Sequence, residues 1–145
     1  MNDRIIYTQP NGFVVVVTPS GEIPTADVMT KDVPVTATNI RIATIAELPQ
    51  DRVFRSAWDD SNPEDFIGTD LVKAKLVAHD IRRADRETKL IPLDNEERFT
   101  STSTQRKGDI VVEKTIILAA NAQVQIDIDS SIDETALRTV LVGLI

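Results

Sequence analysis

The chain has 145 residues, a formal net charge of −7 and no cysteine. That length suits one ordinary domain and is too short for two large ones. The missing cysteine excludes disulfides, thiolate nucleophiles and cysteine-ligated metals, and the acidic balance disfavours nonspecific nucleic-acid binding.

With one Trp, one Tyr and four Phe, the core has to be mainly Val, Ile, Leu and Ala. The first residues, MNDRIIY, lack the basic start and long apolar run of a signal peptide. No stretch approaches the ~18 apolar residues of a spanning helix, so no membrane partner is expected.

Residues 4–18 read as a β-hairpin. Ile5 and Tyr7 alternate with Ile6 and Thr8, and Asn11-Gly12 is the pair a tight primed turn prefers. Val14 to Val17 is apolar on both faces. Residues 22–34 suggest one or two helical turns, capped by Thr25, with Val28 and Met29 inward. Asn39 to Ile45 is a further strand candidate, with Ile40 and Ile42 alternating with Arg41 and Ala43. Asp51 is placed to cap a short helix from Arg52 to Trp58. Phe54 and Trp58, four apart, then share a face. Trp58 reads first as a core anchor and second as an interface residue.

Residues 59–69 form an acidic, turn-rich connector. Asp59, Asp60, Glu64 and Asp65 have no recognised ion-binding spacing, so no metal is expected. The strongest helix signal follows, from Asp70 to Lys89. Asp70 or Thr69 is placed to cap it. Leu71, Ala74, Val77, Ala78, Ile81 and Ala84 recur on one face, while Val72 and Leu76 fall off that stripe. Ile91-Pro92 is expected to end the helix, because a residue before proline avoids the α region.

Thr100 to Thr104 alternates Thr and Ser, and residues 100–108 read as a linker. It separates a main unit, 1–99, from a tail piece, 109–145. Within the tail, residues 110–129 read as a second hairpin: Ile110 to Leu118, a connection through Ala119 to Ala122, then Val124, Ile126 and Ile128 alternating with polar residues. Ser131 with Glu134 suggests a capping box opening a last helix. The apolar end, including Leu141, Leu144 and Ile145, would dock into the core or meet a partner. The expected fold class is thus α+β: two hairpins, a central amphipathic helix and a short C-terminal helix.

No catalytic constellation stands out. His79 is the only histidine, and Asp80 beside it points about 100 degrees away on a helix. Asp85 is also off its face. One histidine cannot build a His-rich zinc site. The five glycines, at 12, 21, 68, 108 and 143, form no phosphate loop. No cofactor and no enzyme activity are expected. Candidate interface residues are Phe54, Trp58, Leu141, Leu144 and Ile145.

The run Leu48-Pro49-Gln50-Asp51-Arg52-Val53-Phe54-Arg55-Ser56-Ala57-Trp58, the helix from Asp70 to Arg86 and Leu93-Asp94 after it resemble small tailed-bacteriophage proteins encoded among tail or tail-fibre genes. The resemblance covers about residues 1–95, and the chain departs from the pattern after Asp94. It implies a phage setting, in the virion or the host cytoplasm, and a role in virion assembly or attachment. The partners it implies are other tail or neck proteins, with a homo-oligomer as a further expectation. It brings no catalytic residues. The competing expectation is a small phage-encoded inhibitor or adaptor that binds a host protein through an acidic surface.

Overall fold

A computed structural model describes residues 3–62 and 67–144, and among them the chain forms five short strands and four α-helices. The α+β class is as expected. The chain divides into two units, Met1–Ala74 and Lys75–Ile145. The division falls inside the central helix and not at the Ser/Thr stretch near residue 100.

In the first unit, β1 (Asp3–Thr8) and β2 (Val14–Val17) form the expected hairpin, with Thr8 opposite Val14 and Ile5 opposite Val17. The turn differs from the primed type. Gly12 alone in this loop has a positive φ, +81°, and its amide donates to Gln9 O at 2.8 Å. Asn11 keeps a negative φ and uses its side chain to accept from the Phe13 amide at 3.2 Å. The five-residue loop therefore closes with one left-handed glycine. β3 (Thr38–Thr44) pairs antiparallel with β1, giving the order β2-β1-β3.

β1 is buried on both faces: Ile5 and Ile6 are inaccessible and Tyr7 nearly so. On one side Ile6 joins Val14, Ala43, Leu48, Trp58 and Ile67 in the core. α1 (Thr25–Asp32) contributes buried Val28 and half-buried Met29. Its N-cap is Pro24, and no side chain caps it, so Thr25 is the first helical residue and not the cap.

The helix expected over Arg52 to Trp58 shortens to a 3₁₀ turn, Arg55–Ala57. Asp51 does accept from the Val53 amide, at 2.7 Å. Trp58 then enters β4 (Trp58–Asp59), which pairs with β5 (Gly68–Thr69). A strand pairing at Trp58 ends the helical turn. Phe54 is inaccessible and Trp58 is 2% exposed, so both are core residues and not surface contacts. Asp60 is also buried. It accepts from Arg41 at 3.0 Å, and its backbone oxygen accepts from Asn39 Nδ2 at 2.9 Å. That arrangement ties β3 to the chain after β4 with a paired, hydrogen-bonded charge.

α2 (Leu71–Arg98) starts where expected: Asp70 Oδ1 accepts from the Lys73 amide at 3.0 Å. It does not stop at Ile91. Pro92 lies inside the helix, on an exposed face where water can satisfy the Thr88 carbonyl left without its donor. Ion pairs from the last turns of α2 to the next helix hold the segment beyond the proline, as described below.

The second hairpin is absent, and residues 110–129 lie within a single helix, α3 (Thr104–Ser130). Ala119, Ala120 and Ala122 are strong helix formers, and the proposed connection contained no glycine or proline to turn a strand. The alternation of Val124, Ile126 and Ile128 is real in sequence, but Ile128 is buried while Ile126 is exposed. Nor is the Ser/Thr stretch a linker. Ser103 caps α3 by accepting from the Arg106 amide at 3.1 Å, and Thr102 donates to Glu96 O at 2.6 Å. These bonds make a tight turn between two helices.

α4 (Glu134–Leu141) is the expected last helix, but Asp133 is its cap, accepting from the Ala136 amide at 2.7 Å. Ser131 instead ends α3, donating to Asp127 O at 2.8 Å. Leu137 and Leu141 are fully buried.

Candidate functional site

The second unit carries the surface of most interest, and α3 builds it. Ile110, Lys114, Ile117, Asn121, Val124, Ile128 and Ser131 are buried or half-buried. Their steps of four and three residues are those of helices packed side by side. The neighbour is α2, running antiparallel. Lys75 Nζ donates to Asp129 O at 2.7 Å near one end, and Arg106 donates to Glu96 at 2.7 and 2.8 Å near the other. Lys114 reaches Asp94 at 2.6 Å and also bonds Glu97.

In the middle of this seam sits a polar layer. Arg82 Nη1 donates to Asn121 Oδ1 at 2.5 Å, and Asn121 Nδ2 returns a bond to Arg82 O at 3.2 Å. Both residues are buried, and Arg82 has no ion-pair partner among the described residues. Burial, then the nearby Arg86 and Arg83, pushes the guanidinium below its ordinary pKa. A buried polar pair of this kind helps to fix the register of two helices, since a shift would strand both groups.

His79 also belongs to this seam. Its Nε2 lies 2.9 Å from Asp129 Oδ1, a partner fifty residues away that sequence spacing did not point to. Asp80 and Asp85 go elsewhere, pairing with Arg83 and Lys89. The contact bridges two helices, and no hydroxyl nucleophile is bonded to the imidazole among the described residues.

A groove of about 330 Å³ opens beside the polar layer. Its floor is apolar, from Ile116, Val124 and Leu144, and its rim carries Asp85, Arg86 and Lys89. Leu144 thus lines a surface groove, Leu141 is buried, and Ile145 lies outside the described residues. Of the five candidate interface residues, Leu144 is the one placed at a surface. A second groove, about 410 Å³, lies in the first unit beside β2 and α1. Its Glu22, Lys31 and Asp32 are solvated.

The outward side of α3 was not singled out from sequence. Val112, Ala119 and Ile126 are exposed there, with Ile116 on one flank beside the groove and Val111 and Leu118 on the other. Between Asp109 and Asp127 the helix carries two charged residues, Glu113 and Lys114, and both are engaged in ion pairs. From Thr115 to Ile126 there is none. An exposed helix face in water is ordinarily polar, so this one reads as a surface that meets another apolar surface. The signal available in sequence was the charge-free run itself.

Among the described residues no group of His, Asp and Glu side chains is arranged to hold a metal ion, and no helix is long and apolar enough to cross a membrane. Asp60 is committed to Arg41, while Glu64 and Asp65 lie outside the described residues. No protein family model, no curated protein and no solved structure matches the chain.

Proposed function

We propose that the protein acts by binding other proteins and not by catalysis, as a structural or tail-associated component in phage virion assembly or attachment. The observation that supports the binding role is the outward face of α3, an uncharged helix surface on which Val112, Ala119 and Ile126 lie open to solvent. The phage setting rests on the resemblance of residues 1–95 alone. Mass spectrometry of purified particles and of tail-assembly intermediates is the test. The expected result is the chain at fixed stoichiometry in one of them. A chain found in neither, and captured instead by one defined host protein, would overturn the assembly role in favour of a host-directed adaptor.

A further inference from the structure

We infer that the groove between α2 and α3 is a binding site for a small alkyl carboxylate, its charge held at Arg86 and its chain on the apolar floor. The inference goes beyond the protein-binding role and does not depend on it.

The observation that carries it is positive charge without a counter-charge. Arg82 is 7% exposed, and its Nε has no hydrogen-bond partner among the described residues. Its Nη1 donates to the amide oxygen of Asn121, which is neutral. Arg86 follows one turn later, about 6 Å along the helix, and lines the groove. The nearest carboxylates in the sequence are taken: Asp80 pairs with Arg83 and Asp85 with Lys89. Asp129 offsets Arg82 in part, but its carboxylate is bonded to His79 and does not line the groove. Among the described residues neither Arg82 nor Arg86 is in an ion pair.

The two guanidiniums also act on each other. After burial, the charge of Arg86 is the next cause of the lowered Arg82 pKa. A buried cation without an anion is costly, so an anion that arrives there gains the most. Asn121 joins the two places, since it lines the groove and exchanges hydrogen bonds with Arg82. A carboxylate bonded to Arg86 therefore lies beside the polar layer and offsets both charges. The planar guanidinium matches a carboxylate in shape as well as in sign.

The rest of the groove selects the tail. Ile116, Val124 and Leu144 are apolar, and Ala120 between them leaves room. At roughly 30 Å³ per water-sized group, the volume of about 330 Å³ takes on the order of ten non-hydrogen atoms. The long walls, α2 and α3, are helices whose backbone groups bond within each helix. A peptide laid in the groove would leave its own N–H and C=O groups without partners there. An alkyl chain carries none.

The test is a titration of the full chain with sodium octanoate, followed by methyl NMR, with octan-1-ol as the uncharged probe of the same length. The expected result is saturable shifts at Ile116, Val124 and Leu144, half complete below about 1 mM. Octan-1-ol should bind about tenfold more weakly or worse, having lost a charge-assisted hydrogen bond. Octan-1-ol that binds as tightly as octanoate overturns the inference. So do shifts of equal size at Ile40 and Ile42, exposed on β3, which would mark general uptake of an amphiphile.

Two variants divide head from tail. Arg86→Gln keeps a good helix former and should weaken octanoate about tenfold while leaving octan-1-ol unchanged. Arg86→Lys should restore part of the loss. Ala120→Leu, at an exposed position, fills the floor and should abolish saturable binding with both guanidiniums in place. Helical circular dichroism checks that each variant is folded. Unchanged octanoate affinity in folded Arg86→Gln or folded Ala120→Leu overturns the inference.

Discussion

Trp58 shows how one side chain can organise the first unit. It is four residues from Phe54 and beside Ala57, both inaccessible, and Arg55 sits over its ring at 5.7 Å. Its own pairing with Thr69 brings β5 and the start of α2 to the core, where the Asp70 amide donates to Ala57 O at 2.8 Å. Replacing it therefore leaves a large void under a strand pair and a helix start. Trp58→Ala should cost about 3 to 5 kcal/mol, read from the urea midpoint of the first unit. An unchanged midpoint would mean that the indole contributes little to folding. This role was legible in the sequence, because a single Trp in a chain poor in aromatics is the natural anchor of a small core. The buried Asp60 was not. Four acidic residues in one connector look alike until the fold brings Arg41 to one of them.

At the scale of elements, α2 was half legible and α3 was misread, each for a physical reason. The Asp70–Lys89 pattern has a capping residue that survives in the structure, and of its expected apolar face Ala74 and Ala78 are fully buried, while Ala84 is exposed and Arg82 is buried in its place. Its extension past Pro92 depends on contacts with α3 that lie outside the local sequence. In α3, Val, Ile and Thr dominate the first half, and these residues favour strands when packing is ignored. Packing decided otherwise, because the 3.5-residue stripe of α3 is buried and its neighbours on the helix bond to α2 from Asp129 at one end to Arg106 at the other.

The ion pairs that hold the far end of α2 against α3 make that end pH-sensitive. Hydrogen bonds from Arg106 hold the Glu96 carboxyl below its ordinary value of 4.5. A depressed folded pKa means the contribution is complete above the unfolded value and is lost as pH falls from there through the folded value. Lys114 is shifted the opposite way, upward, by its bonds to Asp94 and Glu97. Its contribution is complete below the ordinary lysine value and is lost as pH rises through the folded one. Glu96→Gln should therefore lower the melting temperature at about pH 7, and the difference from the natural chain should shrink as pH falls below the ordinary carboxylate value of 4.5. A difference that persists undiminished in acid would show that the carboxylate charge is not what joins the helices there.

At the scale of the whole molecule, the boundary matters more than the count of elements. A Ser/Thr-rich stretch near residue 100 is the obvious place to divide this sequence, and the chain instead divides at Ala74 and Lys75. The reason is that α3 buries its stripe on α2, so a cut between them strands both helices. In proteins most helical stability comes from a packed face and not from propensity alone. A fragment of residues 70–145 keeps the Asp70 cap, the Arg82–Asn121 layer, both end clamps and α4. It should remain helical and unfold cooperatively with heat. Residues 100–145 lack the α2 surface that covers Ile110, Ile117 and Ile128. They should lose most of their helical signal at the same concentration. Circular dichroism on the two fragments decides it: equal helicity per residue in both would mean that α3 stands without α2, and that its inward stripe and its outward face are not the two distinct surfaces described above.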